Sequence, residues 1–143
     1  MHVAHLLKVK GESVITIGVH SSVAQAAERL LKERIGALVV TGALDPLAGI
    51  LSERDIVAAI GEHGAAALDF TVQQLMTTEV FTCTPSTTVH ELMALMTEQR
   101  VRHVPVVSDG HLIGLVSIGD IVKARLNELE GEQRDLLDYI SAR

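Results

Sequence analysis

Gly49-Ile50-Leu51-Ser52-Glu53-Arg54-Asp55-Ile56-Val57 and Gly114-Leu115-Val116-Ser117-Ile118-Gly119-Asp120-Ile121-Val122 are two copies of one pattern. Each has a glycine, two apolar residues, a serine, two variable positions and then Asp-Ile-Val. The apolar pair reads as the end of a strand and the serine as the residue that opens a helix. Such self-similarity marks a repeated supersecondary unit.

Upstream, the correspondence continues with a shift of one residue. At an offset of 66, Ala37-Leu38-Val39-Val40 faces His103-Val104-Pro105-Val106, and Arg34-Ile35 faces Arg100-Val101. Val23-Ala24-Gln25-Ala26-Ala27 likewise faces Val89-His90-Glu91-Leu92-Met93, and Val14-Ile15-Thr16-Ile17 faces Val80-Phe81-Thr82-Cys83. The shift to 65 falls in the Gly/Asp-rich turns at 42–45 and 108–110, where loops absorb insertions. Residues 3–8 and 72–77 form matching lead-ins, and three extra residues lie between Lys8 and Val14 in copy one.

Each copy reads as a short β-rich run, a helix, two apolar runs joined by a turn, and a final helix. Ser21-Ser22 and Ser86-Thr87-Thr88 signal the first helix of each copy. Val23, Ala26, Ala27, Leu30 and Leu31 give it an apolar face in copy one, and Val89, Leu92, Met93 and Met96 in copy two. A β-α-β-β-α unit of about 50 residues is too small to bury its faces alone. Two units are therefore expected to pack sheet against sheet. The expected boundaries are residues 1–64 for the first unit, 65–126 for the second and 127–143 for a helical tail, with the joint at 61–71.

Composition bounds the function. Among 143 residues, 48% are hydrophobic and 2% aromatic, so the core must be aliphatic. With 12 Lys and Arg against 18 Asp and Glu, the net charge is −6, and no basic run is present. That balance argues against nucleic acid or anionic lipid as the main partner. No stretch reaches transmembrane length, and the first ten residues lack a signal-peptide core. A single cysteine, Cys83, excludes an intrachain disulfide and points to a reducing cytoplasm. It reads as a small core residue. Seven histidines show no metal-ligand spacing beyond His2 and His5. Ser, His and Asp are present without a nucleophile elbow, a P-loop or a zinc-protease motif, so a non-enzymatic role is expected.

The doubled Gly-apolar-apolar-Ser-x-x-Asp-Ile-Val motif, with Val104-Pro105-Val106-Val107 and Leu75-Met76-Thr77, resembles the CBS domain pair, or Bateman module, over roughly residues 3–126. The resemblance implies an α/β (α+β) fold. Two β-α-β-β-α repeats would pack sheet to sheet about a pseudo-twofold axis, with a C-terminal helix added. It also implies a regulatory module that senses energy or redox state by binding AMP, ADP, ATP, NAD(H) or S-adenosylmethionine as an effector, with no catalytic cofactor. Such a module acts on a protein partner or on its own assembly, commonly a homodimer. The alternative is a structural dimerisation unit with unoccupied clefts.

Carried onto this chain, the resemblance places Asp55 and Asp120 on the ribose hydroxyls, with Ser52 and Ser117 beside them. A carboxylate suits a cis-diol because it accepts two charge-assisted hydrogen bonds. Ile50, Leu51, Leu115 and Val116 would wall the adenine, with Ile15 and Phe81 on the opening strands as the other side. Gly49 and Gly114 would permit close backbone approach. Arg54, Arg102, His103 and Lys10 are candidates for phosphate, and each also reads as an ordinary surface residue. Ser-x-x-Asp is itself a helix capping box in form, which leaves one carboxylate oxygen for a ligand. In the tail, Leu126, Leu129, Leu136, Leu137 and Ile140 form an apolar stripe suited to a second copy or to the chain's own module, and Gly131 marks a place for that helix to bend or stop.

Overall fold

Helix starts in this chain are set by side chains that satisfy free N–H groups. In the computed structural model, which describes residues 1–11 and 13–142, Ser22 caps α2 (Val23–Glu33) and Thr88 caps α5 (Val89–Gln99). Ser52 opens α3 (Glu53–His63) and Ser117 opens α6 (Ile118–Ser141). Both end helices carry full capping boxes. Ser52 Oγ accepts from Asp55 N–H at 3.2 Å, and Asp55 Oδ2 accepts from Ser52 N–H at 2.9 Å. The equivalent bonds of Ser117 and Asp120 are 3.1 and 2.8 Å. Two further helices, α1 (Val3–Lys10) and α4 (Val72–Leu75), are the lead-ins.

Copy one folds as β1 (Thr16–Gly18), α2, β2 (Ala37–Thr41), β3 (Gly49–Ser52) and α3. β1 runs parallel to β2, and β2 antiparallel to β3. Copy two has the antiparallel pair β4 (His103–Ser108) and β5 (His111–Ser117), but its opening segment is not a strand. A single parallel bridge joins Cys83 to Val106. The cause is Pro105, which stands where Val39 stands in copy one. Val39 N–H donates to the Ile15 carbonyl at 3.3 Å, and a proline has no N–H to give the Phe81 carbonyl. The opening-strand reading of Phe81 is therefore corrected: Phe81 lies outside any strand and is 40% exposed.

The lead-ins are exchanged. α1 precedes copy one yet packs in the core of copy two, where Val3, Leu6 and Leu7 join Cys83, Val89, Leu92, Val104 and Ile121. α4 precedes copy two yet places Val72 among Val23, Ala26, Leu30, Leu38 and Ile56 of copy one. Main-chain bonds fix both contacts: Val3 N–H to Thr87 O and Val72 N–H to Ser21 O, each 2.8 Å. Each repeat thus completes its core with a helix from the other side of the chain. α6 continues unbroken through Gly131 to Ser141, so the tail is an extension of the last repeat helix and does not stop at that glycine. No described helix is long and apolar enough to cross a membrane.

Candidate functional site

Two clefts lie at corresponding places in the two copies. The first, about 200 Å³, is lined by Ile50, Ser52, Arg54 and Asp55 from the β3–α3 junction and by Thr77, Glu79, Val80 and Phe81 from the chain after α4. Arg100, Val101, Arg102 and His103, between α5 and β4, close it. The second, about 300 Å³, has Leu115, Ser117 and Asp120 on one side and Val14, Ile15, Arg34, Ile35 and Ala37 on the other, with Lys10 beside them. Gly36 and His103 line both. A Cβ on Gly36 would meet the His103 ring at 3.3 Å, so the glycine lets the imidazole lie between the clefts.

The two aspartates sit in different surroundings. Asp55 Oδ2 is held by the Ser52 N–H, and among the described residues its Oδ1 has no hydrogen-bond partner. Asp120 Oδ2 accepts from the Ser117 N–H and also from Lys10 Nζ at 2.6 Å. Burial of Asp120 opposes ionisation, but the Lys10 hydrogen bond, the Ser117 N–H and the Lys10 charge outweigh it and hold the carboxyl below its ordinary range. His103 is shifted down, first by burial and then by the Lys10 charge, against the opposite pull of Asp120 and Glu53. Among the described residues, Arg54, Arg100 and Arg102 have no carboxylate within ion-pair distance. Three arginines and an aspartate line this one cleft, so its lining holds residues suited to both anion and hydroxyl recognition.

Residues 9–62 and 72–127 each match the CBS domain family. The chain belongs to the CBS domain family. It is 37% identical to CBS domain-containing protein CBSX3, mitochondrial, of Arabidopsis thaliana, over 96% of this chain and 71% of that protein. The solved structure of a CBS-domain containing protein from Agrobacterium tumefaciens superposes with a TM-score of 0.85 at 46% identity, covering 87% of this chain and 92% of that one. Hypoxic Response Protein I, solved with two coordinated zinc ions, gives 0.71 at 28% identity, covering 86% and 98%. Among the described residues here, no three His, Cys, Asp or Glu side chains come together to hold a metal.

The CBS fold brings most of the expected residues to the clefts. Ser52, Arg54, Asp55, Ile50, Phe81, Arg102 and His103 meet in the first, and Ser117, Asp120, Leu115, Ile15, Lys10 and His103 in the second. Leu51 and Val116 do not reach them. Both are 0% exposed within the two cores, because successive strand residues point to opposite faces and only Ile50 and Leu115 face the clefts. The close approaches at Gly49 and Gly114 are made by the lead-ins: the Thr77 carbonyl would lie 2.6 Å from a Cβ on Gly49, and a Leu7 methyl 2.6 Å from one on Gly114. Arg100 and Arg34 were missed as cleft residues. Both hold αL conformation at helix C-caps, φ 55°, and their matching positions in the repeat are the signal that points to them.

Proposed function

We propose that this CBS pair is a regulatory module whose first cleft takes an adenosine nucleotide. One observation carries the reading: Asp55 shares a cleft with three arginines, and among the described residues its Oδ1 has no hydrogen-bond partner and they have no carboxylate within ion-pair distance. The carboxylate suits a ribose diol, and the guanidiniums suit phosphate. Glu53 and Glu79 in the same lining, and the net charge of −6, favour a ligand with few phosphates, AMP or NAD(H) ahead of ATP. Ile50, Val80 and Phe81 supply apolar surface for a base. The module acts through conformational change on a partner or on its own dimer, and carries no chemistry itself. Its buried single thiol fits a reducing compartment.

A melting screen with AMP, ADP, ATP, NAD(H) and S-adenosylmethionine tests this. A ligand at a hundred times its dissociation constant adds about 2.7 kcal/mol to stability. The expected result is a clear rise with AMP or NAD(H). No shift with any of the five at millimolar concentration would leave a structural dimerisation unit as the better description.

A further inference from the structure

We propose that Lys10 is a built-in competitor for the second cleft, so that nucleotide fills the first cleft ahead of the second. The inference rests on the nucleotide reading above and concerns what separates two otherwise matching sites. In the first cleft, main chain closes on main chain. The Ile50 carbonyl accepts from Thr77 N–H at 2.8 Å, and Ile50 N–H donates to the Thr77 carbonyl at 3.0 Å. Asp55 takes no part in that closure. Leu115 is the residue that matches Ile50 in copy two, and its carbonyl accepts instead from Lys10 Nζ. The same ammonium lies 2.6 Å from Asp120 Oδ2. A lysine side chain has replaced a backbone bridge, and it places a charged donor on Asp120 Oδ2, while among the described residues Oδ1 has no hydrogen-bond partner.

The difference is written in the lead-ins. α1 has eight residues and α4 has four. The longer helix ends on Lys10, whereas the shorter one releases the chain into the segment that carries Thr77. Lys10 and Asp120 also line the groove between α1 and α6, so their ion pair forms the partition between that groove and the second cleft.

A cis-diol that takes both oxygens of Asp120 must put a neutral donor where the charged one sits on Oδ2, and the charged bond is the stronger. At side-chain exposures of 35% and 27% the pair is partly screened, so the competition is finite. Among the described residues, no cation lies within ion-pair distance of Asp55.

Calorimetric titration with AMP and with adenosine separates the outcomes. Asp55→Ala should weaken AMP binding by at least about tenfold, leaving the second cleft as the remaining site. Adding Lys10→Met, which keeps the aliphatic stem and removes the charge, should tighten both AMP and adenosine by about two- to fivefold relative to Asp55→Ala alone. Lys10→Gln on the same background serves if the methionine variant does not fold. Unchanged or weaker binding of adenosine after loss of Lys10 overturns the proposal. So does a loss confined to AMP, which would make Lys10 a phosphate contact. If the unmodified protein binds no AMP, the nucleotide reading itself has failed; if it binds AMP equally at both clefts, only the competition has.

Discussion

Gly49 shows how a single residue serves the repeat. A side chain there would meet the Thr77 carbonyl at 2.6 Å and Met76 Sδ at 2.9 Å, and a backbone carbonyl tied into the Ile50 bridge has nowhere to go. The atoms nearest a side chain at its counterpart Gly114 belong to the Leu7 side chain, which can shift more readily than a bonded main-chain carbonyl. Gly49→Ala should therefore cost about 1–3 kcal/mol by overpacking, and Gly114→Ala distinctly less. Urea midpoints of the two variants check the order, and an equal or reversed cost would contradict it. The need for close approach at both glycines is legible in the sequence, since the motif repeats them, but the neighbour is not. Leu51 and Val116 fail as cleft residues for a related reason: an apolar pair does not say which member faces inward until the sheet is paired. Cys83 is read correctly as a core residue; burial pushes its thiol up to about 11.

Among the elements, the helix caps and the two hairpins follow from local signals. Ser22, Ser52, Thr88 and Ser117 all cap as their positions predict. The missing strand at residues 80–82 was also legible in principle, because Pro105 removes the donor that a parallel neighbour needs. α6 overrides a local signal, since Gly131 costs about 1 kcal/mol relative to alanine and yet the helix runs through it. Beyond the repeat, Leu126, Leu129, Leu136, Leu137 and Ile140 are all exposed on this helix. α2 and α3 add Leu31, 81% exposed, and Val57, 68% exposed. An apolar stripe on a long acidic helix gains most by packing on another copy. The full chain is expected to be a dimer at micromolar concentration in light scattering, and a chain ending at Asn127 to dimerise more weakly. A full-length monomer would contradict the dimer; an unchanged dimer after truncation would contradict only the role of the tail.

At the scale of the whole molecule, repetition and exchange act together. The doubled motif announces two copies, and pairs of matching residues announce two clefts. The exchange of α1 and α4 is not readable from the alignment of the copies, since both lead-ins look alike and either partner would bury their apolar faces. It follows from the main-chain bonds between each lead-in and the start of the opposite helix. The same exchange delivers Lys10 to Asp120, whereas among the described residues no cation pairs with Asp55. Sequence symmetry thus yields two sites of unequal character, and the first is the one we propose for a nucleotide. Amide chemical shifts of the ¹⁵N-labelled protein during AMP titration read this most directly. The expected result is early movement of Arg54, Asp55, Thr77 and Phe81, with Ser13, Leu115 and Asp120 following at higher concentration. Movement confined to residues outside both clefts, or none at millimolar AMP, would contradict the first cleft as a nucleotide site.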